Sequence, residues 1–541
     1  MAKNITIYDT TLRDGTQGEG VQVAVEDKLR LACVFDDVGF DFIEAGWPGS
    51  NPRDAEFFEM ARGHRFNHAR LVAFGATRRA GIKCEEDMSL QALVRSGVPA
   101  VAVFGKASSF QAESILKVSR EENLEMVHDT VRYLRRHFDT VVFDAEHFFD
   151  GYRDDPQYAL SVVSVASDAG ASWIALCDTN GGSLPFEVRR ATAAASVVTA
   201  TPMGIHAHND TGMAVANSIS AIQAGATMLQ GTVNGHGERC GNADLITAIA
   251  NLELKLGYEC LGEEGLRGLK SLSRTVDRHA NCRTNPAQPY VGERAFAHKG
   301  GVHVHAVMRE SRAYEHVAPE AVGNTRRILV SDLAGRAALA EKARQFGIQA
   351  DAKDAWVLKA LERIKKLENK GYRFEECDAA LELILLSEGS DARELIHFDG
   401  AKVVADVGDF VEGDGEERSE ASIKVRIHGA SVEASACGNG PVHAIALAFE
   451  KACGEAFPWV KDIRLEEYRV EVLDQREGFG ATVRVQIRAT DGHRFWDVQG
   501  VSHNIIDASC QAIADAYEYA IVVVAKSESS EDYKDSRQGA V

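Results

Sequence analysis

The feature that most constrains the fold is a series of eight short apolar or β-branched runs, spaced evenly through the first half of the chain. Each has the length and composition of a β-strand. Eight such strands in succession limit the chain to a few α/β architectures. The runs are Ile5–Tyr8, Phe40–Ala45, Leu71–Phe74, Ala100–Phe104, Thr140–Phe143, Trp173–Cys177, Met203–His206 and Met228–Val233.

Amphipathic helical patterns separate these runs. Examples span residues 25–38, 123–138 and 185–198, and several patterns end at a glycine, which readily adopts the left-handed conformation of a helix C-cap. Alternating strands and helices predict a parallel sheet, either open and doubly wound or closed as a (β/α)8 TIM barrel. The even spacing of eight units, with polar residues after the strand ends, favours the closed barrel, which would comprise residues 1–262.

Polar residues follow most of the predicted strands at their carboxyl ends. These ends form one face of a barrel, the face that carries the active site in TIM-barrel enzymes, so we expect the residues to converge there. The groups are Arg13–Asp14, Glu44, Asp144–His147, Asp178–Asn180, His206–Asp210 and Gly237–Asn242.

Two histidines within one of these groups indicate a metal site. His206 and His208 are two residues apart, so their imidazoles leave the same face of a strand. With Asp14 from the first strand they offer two nitrogens and one oxygen to a divalent ion (Mn, Mg, Co or Zn) and leave positions open. The alternative is a polar barrel mouth without a metal. Asn242 lies near enough to be a further ligand or, alternatively, is the N-cap of the following helix.

Three other residues are candidates for substrate chemistry. Thr179 lies in a glycine-containing turn, where its hydroxyl can donate to a substrate carboxylate. Glu146 ends an apolar strand and is a candidate base or, equally, the ion-pair partner of an arginine such as Arg13. His303, in a glycine-rich loop beyond the barrel, is a surface histidine unless a fold or dimer contact brings it to a mouth.

A metal ion with open positions, a fixed arginine and an acid/base pair suit a 2-oxo acid that chelates the ion through its carboxylate and keto oxygens. Attack of an enolate on the ketone fits, and so does retro-aldol cleavage, because both reactions require stabilisation of the same oxyanion.

The formal net charge of -20 argues against nucleic acid and anionic membranes as partners. Ten cysteines without a paired spacing, and no signal-peptide pattern, predict a cytoplasmic location.

The alternation of strands and helices stops near residue 262. Residues 261–323 show no regular pattern and helices dominate afterwards, so we interpret 263–390 as loop and helical connector subdomains. From 391 to 526, two groups of strands each end with a helix, which predicts an α+β domain with an internal pseudo-repeat. Residues 527–541, rich in Ser, Glu, Asp and Lys, are predicted to be disordered.

Three motifs together resemble the 2-isopropylmalate, homocitrate and citramalate synthase family. They are DTTLRDG at 9–15, HAHND at 206–210 and NGHGERCGN at 234–242. Three more segments are most similar to its citramalate synthase branch: GWPGSNP at 46–52, FDAEHFFDG at 143–151 and FAHKGGVH at 296–303. The resemblance covers nearly the whole chain and implies that the last domain is the family's regulatory and dimerisation domain.

The resemblance also implies a reaction, the Claisen-type condensation of acetyl-CoA with pyruvate and hydrolysis to (R)-citramalate and CoA, in isoleucine biosynthesis. Glu146 would deprotonate acetyl-CoA, and His303 with Tyr314 would reach the mouth from the other subunit of a homodimer. His305 is an alternative to His303, since the two share a face if the segment is extended. Isoleucine is the implied effector of the C-terminal domain. The ligands implied for the metal are Asp14, His206 and His208 with Asn242 close by, and those for pyruvate are Arg13 and Thr179.

Other functions stay open at this point. A 2-isopropylmalate or homocitrate synthase, which uses a longer 2-oxo acid, shares these motifs. A metal-dependent hydroxyacyl-CoA lyase shares the barrel and ligands but has no need of a C-terminal repeat domain. A catalytically silent amino-acid sensor would bind its ligand within residues 391–526 without turnover.

Overall fold

The computed structural model describes residues 3–299, 301–330, 335–375, 377–389, 396–405, 419–427, 429–474 and 480–524. The chain divides into two compact units. The barrel unit comprises residues 1–296 and 316–326, and the C-terminal unit comprises residues 297–315 and 327–541. The domain boundaries at 262, 390 and 526 stay predictions, and the tail predicted to be disordered lies outside the described residues.

Eight parallel strands close into a barrel in sequence order, as predicted. Pairing of the first strand with the eighth, in a register that sets Tyr8 opposite Gln230, closes the sheet and excludes the open, doubly wound alternative. The strands are β1 (Thr6–Asp9), β2 (Phe42–Gly46), β3 (Arg70–Ala76), β4 (Ala100–Lys106), β5 (Thr140–Glu146), β6 (Trp173–Asp178), β7 (Met203–Ala207) and β8 (Met228–Gly231).

Helices alternate with these strands in the barrel unit. Gly39 (φ 99°) ends the first and Gly257 (φ 71°) the ninth, both as the left-handed C-caps that the sequence predicts. The helices are α1 (Val25–Val38), α2 (Pro52–Ala61), α3 (Met88–Arg95), α4 (Arg120–Leu134), α5 (Phe148–Asp154), α6 (Pro156–Asp168), α7 (Pro185–Val198), α8 (Ala214–Gln223), α9 (Leu245–Leu256) and α10 (Gly262–His279).

Helix α10 corrects the prediction of an irregular segment over residues 261–323. Its buried apolar residues are Leu266, Leu269, Leu272 and Val276, at the spacing of three and four residues that an amphipathic helix requires. Three glycines in the first two turns hid this stripe, because glycine disfavours a helix interior.

Alternation along the barrel strands separates two apolar clusters. Ile7 and Ile43 belong to the cluster between the strands and the surrounding helices, and Tyr8, Phe42 and Val72 belong to the interior cluster. The interior of the barrel is therefore packed with side chains. Functional groups are left to the carboxyl ends of the strands.

The C-terminal unit begins with a helical part. Its elements are the parallel pair β9 (Ala297–His298) and β10 (Arg327–Ile328), with α11 (Gly301–Arg309), α12 (Arg336–Gln345), α13 (Ala355–Asn369) and α14 (Asp378–Gly389). Helices α12, α13 and α14 share a buried apolar cluster that includes Leu339, Leu361 and Leu385. Helix α11 contains His303, so the prediction of a loop at that residue is wrong.

Two three-stranded antiparallel sheets follow, each succeeded by a helix, which confirms the predicted pseudo-repeat. Phe449 and Tyr517, one from each helix, stack with ring centroids 5.9 Å apart within one apolar cluster. In the described parts of the chain, no helix has the length and apolar character needed to cross a membrane. The elements are β11 (Ile396–Ala405), β12 (Ser419–Ile427), β13 (Ala430–Gly438) and α15 (Pro441–Gly454), then β14 (Arg464–Val472), β15 (Val483–Thr490), β16 (Phe495–Ser502) and α16 (Ile505–Tyr519).

Candidate metal and substrate site

Three buried side chains meet at the carboxyl ends of the barrel strands. His206 lies on β7, His208 follows that strand, and Asp14 lies shortly after β1. One potential ligand atom of each lies within 4.8 Å of the others. Oδ2 of Asp14 is 3.2 Å from Nε2 of His206 and 4.0 Å from Nε2 of His208. The structure therefore brings together the three residues proposed as metal ligands.

The barrel geometry explains why these residues meet. Strand β8 lies between β1 and β7, so Asp14 approaches the histidines across a single strand. His206 points away from the helices, since its neighbours Ile205 and Ala207 belong to the cluster packed against them. His208, just beyond β7, forms a backbone bridge with Asn242.

The protonation states of Asp14 and His208 suit a bound cation, whereas His206 holds its proton more strongly and must release it to bind one. Burial by itself raises the pKa of Asp14, but Arg13 and His206 hold that pKa well below its usual value, so the carboxylate stays ionised. Burial and the neighbouring His206 lower the pKa of His208 to about 4, which leaves a neutral imidazole at pH 7. Burial also opposes protonation of His206, but the hydrogen bond and charge of Asp14 outweigh it and raise the pKa of His206.

Asn242 completes the cluster. Its Nδ2 donates to Oδ2 of Asp14 at 2.7 Å, while its Oδ1 and Nδ1 of His208 are buried and meet no hydrogen-bond partner among the described residues. The N-cap alternative is wrong, because Asp244 caps α9 and accepts the backbone N–H of Ile246 at 3.1 Å. A buried carboxylate, two imidazoles and an unpartnered amide oxygen form a donor set that fits a divalent ion.

Arg13 is held in place beside these ligands. Its Nε donates to Oε1 of Glu44 at 2.5 Å and its Nη1 to Oδ1 of Asp14 at 3.0 Å. The guanidinium carbon lies 3.8 Å from the ring centroid of Phe74, and Glu44 in turn accepts from the Tyr8 hydroxyl at 2.6 Å. A guanidinium restrained in this way is oriented in advance for a substrate carboxylate.

Thr179 directly follows β6 and is tied to the loop after β5. Its hydroxyl oxygen accepts the backbone N–H of His147 at 2.8 Å, so the hydroxyl proton can be donated to a substrate oxygen. His147 has φ 58°, a conformation that residues with a side chain rarely adopt. Nη2 of Arg239 donates to the carbonyl oxygen of Thr179 at 2.8 Å, which holds the turn from its other side.

Glu146, the last residue of β5, has a side chain that is 22% exposed. It forms an ion pair with Lys106, the last residue of β4 and its register partner in the sheet. The alternative of an ion pair with Arg13 is therefore wrong, since Arg13 pairs with Asp14 and Glu44. Sequence reasoning missed Lys106, although a lysine at the carboxyl end of an apolar run was a signal for it.

Sequence reasoning also missed a buried glutamine that contacts a proposed ligand. Oε1 of Gln230 lies 3.0 Å from Nδ1 of His206, and its Nε2 donates to Oδ1 of Asp144 at 3.3 Å. Burial and then the charge of Glu44 raise the pKa of Asp144 to about 7. The available signal was an amide side chain within an apolar strand, where it needs a hydrogen-bond partner.

His303 and Tyr314 lie in the C-terminal unit, with their ring centroids 4.2 Å apart. The structure thus brings these two together, in a different unit from the metal and substrate candidates. Because the segment is helical, His305 does not share a face with His303 as it would in an extended segment, and that expectation is wrong.

Three family models match successive parts of the chain. A model described as HMGL-like matches residues 4–272, and one described as homocitrate synthase post-HMGL domain-like matches residues 290–372. The LeuA allosteric (dimerisation) domain matches residues 377–521.

Curated relatives match over nearly the full chain. The (R)-citramalate synthase of Aquifex aeolicus is 45% identical, over 96% of this chain and 98% of the relative. That of Geobacter sulfurreducens is 44% identical, over 95% and 97%. A probable 2-isopropylmalate synthase of Methanopyrus kandleri is 33% identical, over 95% and 97%. The chain therefore belongs to the 2-isopropylmalate, homocitrate and citramalate synthase family.

Proposed function

We propose that this protein is an (R)-citramalate synthase, which condenses acetyl-CoA with pyruvate and hydrolyses the thioester to release (R)-citramalate and CoA. The observation that carries the proposal is sequence identity. The chain is 45% and 44% identical to two citramalate synthases but 33% identical to a probable 2-isopropylmalate synthase. The buried cluster of Asp14, His206 and His208, with Arg13 beside it, supports a reaction on a small 2-oxo acid.

Pyruvate is bound between the cation site and Arg13. Asp14, His206 and His208, with Asn242 close by, would hold a divalent ion, which would supply Lewis-acid polarisation of the keto group. Arg13 binds the carboxylate of pyruvate with the N–H groups that Glu44 and Asp14 leave free, and Thr179 donates its hydroxyl proton to the same carboxylate. This fixed orientation reduces the entropy lost on reaching the reactive geometry.

Glu146 acts as the base. It takes a proton from the methyl group of acetyl-CoA, and the resulting enolate carbon adds to the keto carbon of pyruvate. His303, in contact with Tyr314, enters from the second subunit of a homodimer and supplies the proton for the new hydroxyl group, with His305 as the alternative donor. Water then hydrolyses citramalyl-CoA and releases CoA.

The C-terminal region carries regulation in this proposal. Residues 377–521 match an allosteric (dimerisation) domain, which supports a homodimer whose end-product effector, isoleucine, binds within residues 391–526. We divide the chain into a catalytic domain (1–262), a connector (263–390), this regulatory domain and a tail (527–541). Ten free cysteines support a reducing, cytoplasmic location.

Release of CoA, followed with a thiol reagent, tests the proposal when pyruvate, 2-oxoisovalerate and 2-oxoglutarate are offered separately with acetyl-CoA. We expect release with pyruvate to exceed that with the two longer acids. Faster release with 2-oxoisovalerate or 2-oxoglutarate would assign 2-isopropylmalate or homocitrate synthesis instead. No release with any of the three, together with cleavage of a hydroxyacyl-CoA, would assign a lyase.

A further inference from the structure

One positively charged side chain at the carboxyl ends of the barrel strands, that of Lys106, has no role in the function proposed above. Lys106 is the last residue of β4, and its side chain is only 13% exposed. Its carbonyl oxygen accepts Nδ2 of Asn123 at 2.9 Å, and the next residue, Ala107, donates its N–H to the carbonyl oxygen of Glu146 at 2.8 Å. The backbone of Lys106 is thus fixed, and its charge is withdrawn from water at a cost in free energy.

The charge of Lys106 is directed at the proposed base. Its ammonium group pairs with Oε2 of Glu146 and lies 5.4 Å from the ring centroid of Phe104. The arginines that follow strand ends nearby are engaged by other carboxylates, Arg13 by Asp14 and Glu44, and Arg239 by Asp210. Lys106 is therefore the cation whose partner changes charge during the reaction.

We infer that Lys106 is a catalytic residue that stabilises the enolate of acetyl-CoA, an inference that rests on the proposed function. When Glu146 removes a methyl proton, the C–H bond breaks, the proton binds a Glu146 oxygen and the electron pair passes into the thioester enolate. One negative charge thereby moves from Glu146 to the enolate oxygen, and Lys106 neither gains nor loses a proton in this step.

The ammonium of Lys106 loses its ionic partner at the step in which a new anion forms beside it. Glu146 must lie within hydrogen-bond reach of the methyl group, and the enolate oxygen is two bonds from that carbon. The flexible lysine stem allows Nζ to follow the charge over this short distance. The interaction with acetyl-CoA is then stronger in the transition state than in the ground state, as catalysis of this step requires.

The competing explanation is that Lys106 only holds Glu146 in place. S-carboxymethyl-CoA separates the two, because its carboxylate carries the negative charge that the enolate would carry. We expect Lys106→Met to weaken binding of this analogue by about 100- to 1,000-fold, with kcat reduced by a similar factor, the usual effect of removing one oxyanion donor. The dissociation constant for acetyl-CoA and the KM for pyruvate should stay close to wild type. Lys106→Arg, which keeps the charge, should retain most of the affinity for the analogue.

Lys28→Met is the matched control. Lys28, on α1, forms a buried ion pair with Asp54 at 2.7 Å, so the same substitution removes a comparable pair without altering a charge next to Glu146. It should leave the ratio of the dissociation constants for acetyl-CoA and S-carboxymethyl-CoA unchanged. Calorimetric titration with Mn²⁺ checks that each variant keeps its ion site.

A Lys106→Met variant that binds both CoA compounds as wild type does, or that loses affinity for both equally, would overturn the inference. Loss of Mn²⁺ binding in that variant would also overturn it, since Lys106 would then support the fold of the site. The proposed function is judged separately, by CoA release from the wild-type enzyme. An active wild type with a normal Lys106→Met variant refutes only the role of Lys106.

Discussion

Gln230 positions His206, one of the proposed metal ligands. Its Nε2 is turned toward Asp144, so its Oε1 faces Nδ1 of His206 and can accept a proton from that nitrogen. This arrangement favours a proton on Nδ1, so that an ion can bind Nε2 in place of the proton shared with Asp14. Gln230→Leu keeps a side chain of similar size but removes the acceptor oxygen Oε1. We expect it to weaken Mn²⁺ affinity by about 10- to 100-fold in calorimetric titration.

Gln230→Glu is the control for this prediction, because it keeps an acceptor oxygen at the same place. It should bind Mn²⁺ more tightly than Gln230→Leu does. Equal affinity in the wild type and the leucine variant would show that the hydrogen bond does not orient His206.

The affinity for a divalent ion should also depend on pH. A proton and an ion compete for Nε2 of His206, whose pKa is raised by the hydrogen bond and charge of Asp14 against the effect of burial. Affinity is therefore full above that raised pKa and falls as the pH drops through it, by about tenfold per pH unit for one proton. His208, with a pKa of about 4, contributes only in more acidic solution. Mn²⁺ titrations at a series of pH values measure this slope, and a flat profile between neutral and mildly acidic pH would contradict it.

The two histidines of the site could be predicted from the sequence because their relation is local. Two residues two positions apart on a strand share a face whatever the rest of the chain does. The contacts of Lys106 with Glu146 and of Gln230 with His206 depend instead on the register between strands. Strands buried on both faces lack the alternation that would reveal that register in the sequence.

Among the structural elements, the loop between β8 and α9 sets the position of Asn242. Gly241, the preceding residue, has φ 83°, and a Cβ there would lie 2.0 Å from the carbonyl oxygen of Gly235. Gly241→Ala should lower the free energy of unfolding by about 2–4 kcal/mol, since the left-handed conformation costs about 1 and the overlap adds the rest. It should also weaken Mn²⁺ binding, because Asn242 moves with the loop.

Gly257→Ala provides the comparison. Gly257 has nearly the same conformation, φ 71°, but no described atom lies within 4 Å of its Cβ position. This variant should lose only about 1 kcal/mol in chemical denaturation and keep its Mn²⁺ affinity. Equal losses in the two variants would mean that conformation, rather than the contact with Gly235, determines the effect.

One element that sequence reasoning missed, strand β11, has a weak apolar signal. Strand β11 is largely exposed, and Ile396 is its one fully buried residue among those described, so its pattern resembles that of a loop. The barrel strands were recognisable because both of their faces are covered, which selects apolar residues at every position. Burial on both sides therefore makes a strand easy to predict and its register hard to predict.

At the scale of the whole molecule, helix α14 determines where the C-terminal unit can be divided. Leu385 belongs to the cluster of the connector helices, whereas Ala379 belongs to the cluster of the two sheets. Glu382 accepts a hydrogen bond from the hydroxyl of Tyr519 at 2.9 Å. A chain that ends at residue 389 keeps α14 but uncovers one of its faces, and we expect its C-terminal part to melt at a lower temperature.

The same truncation tests whether ion binding needs only the barrel unit and whether isoleucine binding needs residues 391–526. Asp14, His206 and His208 all lie in the barrel unit, so the chain ending at residue 389 should bind Mn²⁺ with unchanged affinity. It should no longer bind isoleucine in calorimetric titration, because the proposed effector site lies within residues 391–526. Glu382→Ala in the full-length chain loses the contact with Tyr519 but keeps that region, and it should still bind isoleucine. Isoleucine binding by the truncated chain would place the effector site elsewhere, and loss of Mn²⁺ binding would show that the ion site depends on the C-terminal unit.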